Sequence, residues 1–155
     1  MPKKEKKQTD TTTQETAQKP TAEELLSQTI HDFHYEVKGI KNYFSNIYDA
    51  VKYYLDKYGP YLPTEDRKKL ALLAFKADEI MLDVYGLAYQ IDLIYGEAQA
   101  SIDRGEPETF HVEDEFVGQL RDAINSVEEA IDSFVDEFKA MIAEFREKAE
   151  KDGMY

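Results

Sequence analysis

The chain contains no cysteine in 155 residues, which excludes disulfides, thiolate metal sites and a cysteine nucleophile. Also missing is any apolar run near the eighteen or so residues that a bilayer-crossing helix needs, and the first thirty residues lack a signal-peptide core. A cytoplasmic protein with no membrane segment is therefore expected. There is no Gly-rich phosphate loop, no G-x-S-x-G elbow and no strand pattern to present either. Asparagine is scarce, at Asn42, Asn46 and Asn125, which together with the absent cysteine fits a thermophilic source. No catalytic residue, metal or cofactor is expected, and the chain reads as non-enzymatic.

What is present is the composition of a helical protein with room for one core, 42% hydrophobic and 33% charged. The net charge of -13 is unevenly spread. Lys3, Lys4, Lys6, Lys7 and Lys19 outnumber Glu5, Asp10 and Glu15 in the first twenty residues, whereas thirteen acids face five bases from Val112 to Tyr155. An acidic body argues against nucleic-acid binding by the core, while the basic tail could contact an anionic partner. Residues 1–20 are Lys, Thr and Gln rich and carry too little apolar surface to offset ordering entropy, so they are expected to be disordered.

Residues 21–155 read as an all-α, elongated antiparallel three-helix bundle with coiled-coil-like heptads. Thr21 and Glu24 form a capping-box pattern. Behind it a seam runs through Leu26, Ile30, Phe33, Val37, Ile40, Phe44, Ile47, Val51, Tyr54 and Tyr58 at alternating steps of four and three. Gly59-Pro60 and Pro63 end this first helix, near residues 22–58. Thr64 is expected to cap the second, near 65–103, with Glu65 and Asp66 favoured in its first turn by the helix dipole. Gly105 and Pro107 end it. The third, near 111–151, carries Val117, Leu120, Ile124, Val127, Ile131, Phe134, Phe138, Met141 and Phe145 and finishes by Asp152-Gly153. Short connections make consecutive helices antiparallel neighbours.

The second helix differs from the others in bearing two apolar seams. Leu70, Leu73, Ala77, Ile80, Val84, Leu87, Ile91, Ile94 and Ala98 form one. Opposite them stand Leu72, Phe75, Leu82, Tyr89 and Leu93, flanked by Tyr85 and interrupted only by Glu79 and Gly86. A helix with two seams needs cover on both sides, and the first and third helices, polar on their outward faces, can supply only one. Leu72, Phe75, Leu82, Tyr85, Tyr89 and Leu93 are thus the candidate interface, for a second copy in a two-fold dimer or for another helical protein. Internal cover by a loop or the tail is the alternative.

Two further patterns bear on function. Glu115, Asp122, Glu129 and Asp136 recur every seven residues, about 10 Å apart on a helix, with Asp132 beside them. Such a row could imitate DNA phosphates and occupy a nucleic-acid-binding groove, as viral anti-defence inhibitors do, although a charge run is more commonly a solvated face. His31, His34 and Glu36 are the nearest approach to a ligand set, with Glu79/Asp83 and Glu128/Asp132/Asp136 at one-turn spacing. The di-iron pattern wants Glu-x-x-His pairs facing inward from opposing helices, and the helical seams here hold none. Tyr48, Tyr54 and Tyr58 read as core residues with hydroxyls at the rim, Tyr35, Tyr53, Tyr85 and Tyr89 as contact residues.

Overall fold

The computed structural model describes residues 19–151. The disorder expected of residues 1–20 and the helix end expected at Asp152-Gly153 therefore fall wholly or mostly outside the described residues. Three long helices follow one another: α1 (Ala22–Tyr58), α2 (Thr64–Asp103) and α3 (Asp114–Lys151), joined through short 3-10 turns at Gly59–Tyr61 and Pro107–Thr109.

Helix α1 starts as its sequence predicts. The Glu24 backbone N–H donates to Thr21 Oγ1 at 3.1 Å, and the Thr21 N–H donates to Glu24 Oε2 at 3.2 Å, so two otherwise orphaned amides are satisfied reciprocally. Helix α2 starts differently from expectation. Pro63, not Thr64, occupies the N-cap position, and no side chain caps the helix there. The fixed φ of Pro63 sets the entry angle, and its carbonyl accepts from the Arg67 N–H at 2.9 Å. Thr64 is thereby the first helical residue and its hydroxyl stands one position too late to cap.

Gly105 ends α2 with φ +72°. The Glu106 N–H donates to Ser101 O and the Gly105 N–H to Ile102 O, both at 2.9 Å. These paired bonds close the last turn as a Schellman motif, which needs a left-handed residue at that place. Helix α3 begins at Asp114, later than the expected position 111, because the preceding segment is extended: Phe110, at φ -88° and ψ 116°, turns its ring into the core instead. No helix breaks at Gly39, Gly86 or Gly96.

Cross-helix contacts fix the topology. His34 meets Asp92 and Lys52 meets Asp78, so α1 and α2 run antiparallel. Lys69 pairs with Glu144 and Lys76 with Glu137, so α2 and α3 also run antiparallel. Glu36 with Arg121 and Phe44 with Phe134 leave α1 and α3 parallel. At one end of the bundle the buried Asp66 carboxylate accepts both 2.9 and 3.2 Å bonds from Lys148 Nζ.

The core has two halves along the bundle axis. One gathers Ile30, Phe33, Val37, Ile91, Phe110, Leu120 and Ile124, and the other Phe44, Val51, Leu73, Val84, Ile131 and Phe134; Ile40 packs against both. Each fully buried large side chain contributes roughly 1.5–3 kcal/mol of burial free energy. Packing is closest between α1 and α2, where Ala74, Ala77, Ala88 and Ala98 on α2 lie buried and let the two backbones approach. Tyr58, expected in the seam, is instead 40% exposed, because the last turn of α1 runs past the core; its ring leans on Tyr54 at 4.7 Å.

Candidate interaction surface

The inward seam of α2 decides what its opposite face must do. Leu70, Leu73, Ala77, Val84, Ile91 and Ala98 are buried against α1 and α3, and the 3.6-residue period then turns positions 72, 75, 79, 82, 86, 89 and 93 outward. All six candidate residues are exposed: Leu72 at 69%, Leu82 at 73% and Tyr89 at 67%, with Phe75, Tyr85 and Leu93 close behind. No described loop folds over them, so internal cover by the described residues is excluded. Gly86 lies in the middle of the stripe, and a Cβ built there or at Gly96 would meet no neighbouring atom. The surface is therefore bulky at its leucines and aromatics and hollow at its glycines.

An open groove of about 440 Å³ borders this face between α2 and α3. Leu82, Gly86 and Leu87 form one wall, and the small residues Ala123, Ser126 and Ala130 form the other. On the α1 side the rim is cationic, with Lys41 Nζ 4.8 Å above the Tyr85 ring. The stripe itself ends in opposite charges. Lys68 precedes Leu72 by four residues and Glu97 follows Leu93 by four, and both are exposed. The same step rule that finds the leucines would have found these two charges, but a search for apolar residues passes over them.

The remaining polar groups are mostly engaged within the bundle. Arg121 donates to both oxygens of Glu36, at 2.7 and 3.1 Å, while its guanidinium lies 4.7 Å from the centre of the Phe33 ring. That bidentate pairing lowers the Glu36 pKa below the usual carboxylate range; Glu128, beside the Glu36 acid and partly desolvated, is pushed up. The Tyr48 hydroxyl donates to Asp78 at 2.7 Å, raising the phenol pKa and, with Lys52, lowering that of Asp78.

His34 Nδ1 sits 2.8 Å from Asp92 Oδ1, and its ring stacks on Tyr95 at 4.2 Å. His31 packs beside Tyr35 and Tyr95. Among the described residues no three His, Asp or Glu side chains converge on a point that could hold a metal. His31, His34 and Glu36 are accordingly separated into different contacts. His111 lies exposed in the extended segment before α3.

The acidic row is present as spaced. Glu115, Asp122, Glu129, Asp132 and Asp136 are all exposed, and none has an ion-pair partner among the described residues. Their neighbours Glu137 and Glu144, in contrast, are tied to Lys76 and Lys69. Tyr35, Tyr43 and Tyr53 are exposed on α1 but apart from one another along the helix. No described helix is long and apolar enough to cross a membrane. The chain matches no protein-family model, no curated protein and no solved structure, so the outer face of α2 is identified by its own geometry alone.

Proposed function

We propose that the protein is a non-enzymatic helical interaction module that self-associates through the outer face of α2. One observation carries this reading: six large apolar side chains stand exposed on a single helical face, while the outward faces of α1 and α3 are chiefly polar. A contiguous apolar patch of several hundred Å² on a small bundle is costly to leave in water and typically marks a protein contact. The adjoining groove widens the surface available to a partner helix.

A second reading has its own support. Four unpaired carboxylates of α3 at heptad intervals, with Asp132 beside them, suit an inhibitor that occupies a nucleic-acid-binding groove. Salt separates the two. Apolar self-association persists in about 0.5 M NaCl, whereas a complex held by phosphate-like charges weakens steeply over the same range.

The test is solution mass by light scattering at tens of micromolar protein. The expected result is a dimer that Leu82→Glu with Tyr89→Glu converts to monomer without loss of helical content. A monomer whose behaviour the two substitutions leave untouched would refute the reading.

A further inference from the structure

We infer that the occupant of this face is a second copy of the chain, with the two α2 helices antiparallel about a two-fold axis between Leu82 and Gly86. The inference rests on the self-association proposed above and adds its direction and register. Exposed area is the first support. The six side chains present on the order of 700 Å² per protomer, near the roughly 800 Å² per partner of a stable interface.

Direction follows from what each stripe position would meet. In a parallel in-register pair every residue faces its own copy. Glu79 would then lie on the partner's Glu79 at the centre of the contact, Lys68 on the partner's Lys68, Glu97 on the partner's Glu97, and Gly86 across from the partner's Gly86, leaving a void. Three like-charge pairs and one gap would be built into a single interface.

The antiparallel arrangement removes all of these at once. With the axis between positions 82 and 86, Leu82 fills the hollow at the partner's Gly86 and Leu72 the hollow at the partner's Gly96. Phe75 packs on the partner's Leu93. Glu79 faces the partner's Tyr89, whose hydroxyl can donate to the carboxylate. At the ends Lys68 lies beside the partner's Glu97, and symmetry repeats each contact. Each glycine, open around its Cβ position in the protomer, thus receives a leucine. Some acids do approach one another. Asp83 nears the partner's Asp83 at the solvated rim, and Asp78 nears the partner's Asp92, but Asp78 and Asp92 already hold Lys52 and His34 in their own protomer.

The absence of cysteine makes the register directly measurable. Leu72→Cys and Gly96→Cys are prepared as separate single variants, and each is oxidised alone and as a mixture. The positions lie about 36 Å apart along one helix, and a disulfide needs Cα atoms within about 7 Å. The expected result is a mixed disulfide between the two variants that exceeds either self-product roughly tenfold, with dimeric mass retained under reducing conditions. Self-linkage of each variant alone would show a parallel pair and overturn the inference. Dimeric mass with no linkage in any sample would overturn the register while leaving self-association standing. Monomeric mass would overturn both, and so distinguishes failure of the underlying reading.

Discussion

Glu128 is an acid whose ionised form its surroundings disfavour. Its carboxyl lies beside Glu36, which Arg121 already holds ionised, and this neighbouring acid and partial burial raise its pKa. A carboxyl whose pKa is higher in the folded than in the unfolded chain weakens the fold once pH exceeds the folded value, and has no such effect below the unfolded value near 4.3. Glu128→Gln is therefore expected to raise the melting temperature at pH 7 by about 1 °C. The gain should vanish as pH falls to about 4, which paired thermal melts at the two pH values would reveal. Glu36 works in the opposite sense. Its lowered pKa contributes stability above its unfolded value, lost as acid titrates the folded carboxylate.

At the scale of elements, the two helix starts offer a matched comparison of one residue type in two roles. Thr21 makes both halves of a capping box, whereas Thr64 sits inside the first turn with no capping bond. Thr21→Ala should cost about 1 kcal/mol, whereas Thr64→Ala should cost nothing or gain a few tenths of a kcal/mol, measured by urea unfolding of the two variants side by side.

The helices themselves were legible because heptad spacing is local and long. Every seam residue between Leu26 and Val51 is buried or partly buried, and the outward apolar face of α2 was read at all six positions. Connections were less legible for a physical reason. Pro63 displaced Thr64 as the cap through backbone geometry, and Phe110 is buried because α1, α2 and α3 all reach it, a tertiary fact with no periodic trace. The Asp66–Lys148 pair is likewise invisible in sequence, since its 82-residue separation is spanned only by folding. The candidate surface was legible as a patch, but its charged ends at Lys68 and Glu97 were not, since a hydrophobic pattern ignores charge.

For the whole molecule, net charge sets how stability responds to ions. A compact chain of formal charge -13 repels itself, and Glu115, Asp122, Glu129, Asp132 and Asp136 stand exposed on α3 without an ion-pair partner among the described residues. Screening shortens the reach of that repulsion from about 30 Å at 0.01 M salt to under 10 Å at 0.15 M. The melting temperature is accordingly expected to rise between about 0.01 and 0.3 M NaCl. A fall over that range, followed by calorimetry at fixed protein concentration, would mean that the cross-helix ion pairs outweigh the repulsion. Charge and apolar contact also divide the molecular surface between them. On the self-association proposed above, the acidic third helix repels other copies while the second helix offers them one place to meet.

The Asp66–Lys148 tie has a consequence beyond its own strength. Heptad seams are nearly self-similar, so α3 displaced along α2 by one heptad, about 10 Å, would still lay apolar rows on apolar rows. Hydrophobic burial alone barely distinguishes the two alignments, because it is non-directional. A slipped helix, however, would carry Lys148 away from the buried Asp66 carboxylate and leave that charge without its cation. Together with Glu36–Arg121, Lys69–Glu144 and Lys76–Glu137, that ion pair acts as an indexing pin that favours one alignment of the third helix.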